Sequence, residues 1–432
     1  MIAALRSKTA QKIASNTIYQ IVGKIFTLGI TVLITVVVTR NYGRAGYGEF
    51  NIMQTFPALF FIIVDFGFNA IATRELSTDW QKADKYFANI LGIRLLLASI
   101  VVVGSALALY LFPYSESLRF GTQLSMLLVL TQALFATTNI IFQVKLRYDY
   151  STIGLISGYL LIILMAILGS YLKWDIMWVN FGYVVGGVIT FLINLFFVKK
   201  LGVHIGLEFD KKLWGTLFVQ ALPLGLMFVF SQINFKSDSI LLSVLPLPDH
   251  LGLDNTESVA LYGLPYKIFE VSLVLPTFFM NSVYPVFVRH MNDGSQRLKK
   301  TFMNSMGVLF VGGIVVGILG YIFAPLAISI LGGEQFAQSV QVLRILLAGV
   351  FVFYLTQPIS WLIVTLGKQR YLPGIYLISA IFNLGLNVVL IPRFSFFASS
   401  YLTWVSELLI LVLLFVAAKK AWDLKYAQAA TS

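Results

Sequence analysis

Nine ionisable side chains stand inside stretches that are otherwise apolar: the bases Lys24, Arg94, Lys236, Lys267 and Arg344, and the acids Asp65, Asp238, Glu270 and Glu407. A charge at the centre of a bilayer costs about 2.5 to 3.5 kcal/mol on insertion scales, so such residues face a polar interior rather than lipid. Bases in that setting can hold a phosphate as paired charges, with lysine acting as a compact point charge. Acids there can carry a proton or bind a cation. Depth sorts the bases, at about 1.5 Å of rise per residue. Arg94 and Arg344 lie roughly two turns from a span end and read equally as snorkelling anchors and as cavity residues. Lys24 and Lys267 lie deeper and are expected in a cavity. Lys267 and Glu270, three residues apart, share a helix face and can form a structural ion pair. Lys236 and Asp238, two apart, point to different faces, so each needs another partner. The bases exceed the acids by one, which permits an anionic ligand without requiring it.

Other chemistry is sparse. The three histidines, His204, His250 and His290, fall in connecting segments, and there is no cysteine. That leaves no metal cluster, no disulfide and no nucleophile–base arrangement, so an enzyme is not expected and no cofactor is implied.

The elements that must position these residues follow from composition. Apolar residues make up 58% of the 432 positions and charged residues 12%, against about a quarter charged in an ordinary soluble domain. Segments of the roughly 20 apolar residues that cross a bilayer recur near 16–39, 48–72, 87–112, 121–144, 152–172, 174–197, 216–245, 259–286, 303–330, 338–366, 371–391 and 397–418. The expected fold class is therefore an all-α integral membrane protein of about twelve transmembrane helices. Arg6, Lys8 and Lys12 precede an apolar run too long for a signal peptide's core, which reads as the first permanent span. Counted on alternate sides, 21 of the 31 basic residues fall in one set of loops and tails and 5 in the other, namely Arg40, Arg44, Arg119, Lys173 and Arg393. This asymmetry puts both termini in the cytoplasm and accounts for most of the +12 net charge without nucleic acid as a partner.

The halves repeat. Tyr47-Gly48 recurs as Tyr262-Gly263, and Arg74 is matched by Arg289 at the same offset. Lys145-x-Arg147-Tyr148 recurs as Lys368-x-Arg370-Tyr371. Six helices per half is an even number, so both halves enter from the same side, as a parallel repeat enclosing a central cavity. The expected organisation is an N-terminal lobe over 1–197, a cytoplasmic linker over 198–215 and a C-terminal lobe over 216–432. Gly182-x-x-x-Gly186 and Gly313-x-x-x-Gly317 read as close packing faces. Trp174, Trp178 and Trp214 read as interfacial anchors, and Pro223, Pro265 and Pro276 as kinks in the seventh and eighth spans.

Four stretches carry a resemblance to a known family. The first runs from Asn16 to Glu75, with Arg40-Asn-Tyr-Gly43, Gly46-Tyr-Gly-Glu-Phe50, Asp65-Phe-Gly67 and Arg74-Glu75. The second holds Leu222-Pro-Leu-Gly225, Asp238, Tyr262 through Glu270, and Tyr284-Pro285. Leu343-Arg344 with Gly367-Lys-Gln-Arg370, and Asn383, Asn387, Ile391-Pro392 and Glu407, complete the set. Together they resemble the polysaccharide repeat-unit flippases of the Wzx type, within the multidrug/oligosaccharidyl-lipid/polysaccharide exporter superfamily. One departure is visible: where the family has a glycine and small residues after Ile-Pro, this chain reads Arg393-Phe-Ser-Phe-Phe-Ala-Ser-Ser400. The resemblance implies that the chain flips an undecaprenyl-diphosphate-linked oligosaccharide to the outer leaflet of a bacterial cell membrane by alternating access, for O-antigen, capsule or similar surface polysaccharide. On this reading Lys24, Lys267, Lys236, Arg344, Arg94 and Arg40 are the candidate substrate bases, and Glu270, Asp238, Asp65 and Glu407 the candidates for coupling to a proton or sodium ion. Membrane lipids, a polysaccharide polymerase and chain-length machinery would be its partners. A cation-coupled exporter of small amphipathic compounds, on the same twelve-helix plan, is the alternative.

Overall fold

A computed structural model describes residues 8–427 of the chain, and Arg6 lies outside the described residues. Helices occupy nearly all of it, with no strand among the described residues. Among the described residues, eleven helical stretches are long and apolar enough to cross a membrane. The first, Ile18–Asp65, has 48 residues, about 72 Å of helix and more than twice a bilayer core of about 30 Å. It breaks at Gly43, whose φ of 68° and ψ of −165° suit a residue without a Cβ. Counted on both sides of that break, the crossings number twelve.

Two compact units divide the chain, Met1–Val229 and Phe230–Ser432. The first contains α1 (Lys8–Asp65), α2 (Phe68–Thr78), α3 (Ala83–Ala108), α4 (Glu116–Ser125), α5 (Leu127–Lys145), α6 (Tyr148–Tyr171), α7 (Ile176–Lys200) and the opening turns of α8 (Lys211–Val244). Its core joins Phe68, Phe87, Phe142 and Tyr150 to Leu217 and Ala221 of α8. The segment expected to be a linker is strapped onto α3. Lys85 Nζ lies 2.7 Å from the Asp210 carboxylate, and Asn89 donates to Glu208 at 2.9 Å while accepting from the Asp210 amide at 2.8 Å. The Lys85 ammonium holds the Asp210 carboxyl below the usual carboxylate range. Trp214 takes part as well: its indole donates to Asn89 Oδ1 at 3.2 Å, so it closes this strap where the sequence suggested only an interfacial anchor. The compact units accordingly divide inside α8, at 229/230, rather than within 198–215.

The second unit contains the rest of α8, then α9 (Asn255–Ser272), α10 (Val274–Asn292), α11 (Ser295–Leu331), α12 (Ser339–Ala348), α13 (Val350–Thr365), α14 (Leu372–Phe394) and α15 (Phe396–Ala427). Asp254 starts α9 by accepting from the Glu257 amide at 2.7 Å, a helix-starting cap. The eighth crossing is interrupted at Leu273, between α9 and α10, ahead of Pro276. Both small-residue motifs are packing faces. A Cβ on Gly186 would lie 2.7 Å from the Gly158 carbonyl, and one on Gly313 would lie 2.7 Å from the Phe351 backbone. Between α14 and α15 stands a single residue, Ser395, at φ 50° and ψ −138°, a conformation that L side chains rarely adopt. A glycine would take it without strain.

Candidate functional site

In the second unit, polar side chains from α8, α9, α14 and α15 meet around Asp238, which is 0% exposed. Its Oδ2 accepts from Tyr262 Oη at 2.8 Å and from Thr403 Oγ1 at 3.3 Å. Its Oδ1 accepts from Asn387 Nδ2 at 2.9 Å. Behind this shell, Ser399 donates to Asn387 Oδ1 at 2.9 Å, and Asn383 donates to Ser406 at 3.2 Å. One turn along α15 from Thr403, Glu407 is 7% exposed and accepts from Thr356 of α13 at 2.5 Å. A small cavity of about 10 Å³, lined by Asn234, Thr403, Ser406 and Glu407 among others, lies beside it, about the space of one water. The Asn234 amide nitrogen is buried there without a hydrogen-bond partner among the described residues.

Helix geometry explains the convergence. Ser379, Asn383 and Asn387 are spaced by four on α14, as are Ser399, Thr403 and Glu407 on α15, so each set forms one polar stripe. Neither Asp238 nor Glu407 has an ion-pair partner among the described residues. Without an ionic partner, a buried carboxylate favours uptake of a proton or a cation, because an uncompensated charge in an apolar interior is costly.

Lys236 points away from Asp238, as two-residue spacing requires, and its Nζ lies 2.6 Å from Glu270 Oε1, with the Tyr266 ring 5.7 Å away. Glu270 therefore takes a partner from the neighbouring helix. Lys267 is half-buried on α9, while Lys24 and Arg40 are exposed on α1. Arg344 donates to the Tyr321 carbonyl at 3.3 Å and sits 4.7 Å over its ring.

Arg94 differs from both readings given above. It is 0% exposed, so it does not snorkel. Its guanidinium lies 2.5 Å from Asp65 and donates to Asn69 at 3.0 Å and Thr137 at 3.1 Å. Asp65 ends α1, at the break formed by Phe66 and Gly67 with φ of 41° and 78°. The pair neutralises itself inside the first unit, which removes Arg94 from the residues accessible to substrate and Asp65 from the uncompensated acids.

Tyr262, Thr403, Thr356 and Ser399 were not singled out as site residues from sequence. The signal that could have found them is the four-residue polar spacing, set against exposed apolar neighbours such as Ile381, Val388, Tyr401 and Leu408.

The sequence profile of the family described as "Polysaccharide biosynthesis protein" matches residues 13–291, and a profile described as "MatE" matches residues 250–389. No curated protein matches the chain by sequence. Among solved structures, a multidrug resistance MATE family transporter of the MOP superfamily in an inward-facing conformation aligns at TM-score 0.71 and 11% identity, over 95% of this chain and 96% of that one. The lipid II flippase MurJ in an inward closed conformation aligns at TM-score 0.71 and 15% identity, over 93% of this chain and 87% of that one. A MOP superfamily transporter from Pyrococcus furiosus aligns at TM-score 0.68 and 15% identity, over 98% and 97%. The fold is that of the MOP superfamily, and by its match over residues 13–291 the chain belongs to the polysaccharide biosynthesis protein family.

Proposed function

We propose that the chain flips an undecaprenyl-diphosphate-linked oligosaccharide from the cytoplasmic to the outer leaflet of a bacterial cell membrane, for surface polysaccharide synthesis. The family match over residues 13–291 carries this reading, and the shared fold with a lipid II flippase supports it. Lys24 and Lys267 are the proposed contacts for the diphosphate, with Arg40, Lys236 and Arg344 as further bases. A membrane potential negative inside favours outward movement of an anion by about 2.3 kcal/mol per charge per 100 mV, so potential alone can contribute to the drive.

Asp238 is the proposed coupling residue, because it is fully buried, hydrogen-bonded on both oxygens and without an ionic partner among the described residues. Glu407 is the second candidate, and Glu270 ranks below both because Lys236 already compensates it. The MatE match over 250–389 favours one other reading, a cation-coupled exporter of small amphipathic compounds. Reconstitution separates the two. Proteoliposomes containing the chain should expose a fluorescent polyprenyl-diphosphate oligosaccharide to an external glycosidase faster than empty liposomes do. Equal rates, together with gradient-driven accumulation of a cationic dye, would move the assignment to the exporter.

A further inference from the structure

We propose that the groove formed by α11, α13 and α15 binds one anionic phospholipid, with an acyl chain along the groove and the phosphate held between Lys299 and Lys419. The groove has a volume of about 340 Å³, within the range of about 300 to 1,000 Å³ typical of built ligand pockets. It lies along the first turns of α11 and the last turns of α15, so its two lysines stand at the same end. Phe302 and Met303 follow Lys299 by three and four residues, and Phe415 precedes Lys419 by four. Each ammonium therefore caps an apolar strip on its own helix.

Ile359 and Leu362 of α13 form a buried floor, and Trp422, one turn beyond Lys419, supplies an amphipathic ring at headgroup level. Neither Lys299 nor Lys419 has a hydrogen-bond or ion-pair partner among the described residues. Lys300, Lys420 and Lys425 add exposed positive charge at this end, where the acids are Asp423 of α15 and Asp293, the latter already paired with Arg297. Basic clusters beside a span attract anionic headgroups, and a helix surface merely coated by lipid tails needs neither the recess nor the two lysines. The inference rests on the membrane fold and not on the transported substrate.

Native mass spectrometry of the full chain in detergent, with phosphatidylglycerol or phosphatidylcholine of the same acyl chains, tests it. The expected result is one retained phosphatidylglycerol per chain in preference to phosphatidylcholine. Lys299→Gln with Lys419→Gln should weaken that binding roughly 25-fold, from about fivefold per lysine near an anionic headgroup. Met303→Trp, which fills the groove and leaves both lysines, should weaken both lipids. Equal retention of the two lipids by the native chain, a comparison that needs no variant, overturns the proposal. Wild-type affinity for phosphatidylglycerol in the double lysine variant does so too. Displacement of phosphatidylglycerol by undecaprenyl phosphate at lower concentration would reassign the groove to a polyprenyl tail.

Discussion

Lys236 and Asp238 are two residues apart on α8 and share no partner: the ammonium lies 2.6 Å from Glu270, and the carboxylate accepts from Tyr262 at 2.8 Å and Asn387 at 2.9 Å. One helix thus serves an ion pair on one face and a neutral polar shell on another. Glu270 and Asp238 are consequently not equivalent. Glu270 is compensated by a lysine, whereas Asp238 has only dipoles around it.

Asp238→Asn keeps the size of the side chain and most of its hydrogen bonds, so it should cost about 1 kcal/mol of stability. Coupling should disappear with the charge. In vesicles at fixed potential, transport by the native chain should fall when proton and sodium gradients are collapsed, and transport by Asp238→Asn should be low and insensitive to them. Gradient-independent transport by the native chain would exclude coupling.

Lys24→Ala and Lys267→Ala, singly and together, should abolish flipping while the amount of protein in the membrane stays the same. Immunoblotting of membranes alongside surface polysaccharide staining reads both quantities. Full activity in the double variant would remove these lysines from the site.

Replacing Arg94 with Gln leaves Asp65 charged and only partly exposed, at 17% of its side chain, and breaking a fully buried pair from one side costs about 3 to 5 kcal/mol, an upper bound here. Thermal unfolding in detergent should show a large loss for Arg94→Gln and partial recovery in Arg94→Gln with Asp65→Asn. A loss that the second substitution does not reduce would mean that the two charges are not coupled.

Ser395→Gly should stabilise the chain by about 1 kcal/mol by relieving the backbone at φ 50°, and Ser395→Val should destabilise it. A thermal shift assay comparing the two substitutions decides, and stabilisation by valine would contradict the strain argument.

The positive-inside count requires a cysteine at Asn255 to react with an impermeant maleimide in intact cells, and one at Lys211 only after permeabilisation. The native chain contributes no thiol of its own. Labelling at Lys211 in intact cells would reverse the orientation.

The twelve crossings were legible because each needs about 20 apolar residues and little else. Gly43 and the proline-associated interruption at Leu273 refine those spans without changing their number. Lys236 and Asp238 were legible as residues needing separate partners, because helical spacing alone separates their faces. The partners themselves were not. Tyr262 reaches Asp238 from the next long helix and Thr403 from α15, 165 residues away, and only tertiary packing decides which polar stripes meet. Arg94 was misplaced for a related reason. Distance from a span end measures how far a side chain can reach, whereas an acid on another helix decides whether it turns inward.

The Arg94–Asp65 contact also limits how the sequence can drift. Losing Asp65 strands Arg94 in an interior that cannot solvate it, and losing Arg94 leaves Asp65 charged with little solvent around it, so an intermediate with one substitution should be counterselected. Lineages are therefore expected to retain both residues or to replace both, and the two positions should covary across the family even though they stand 29 residues apart on different helices.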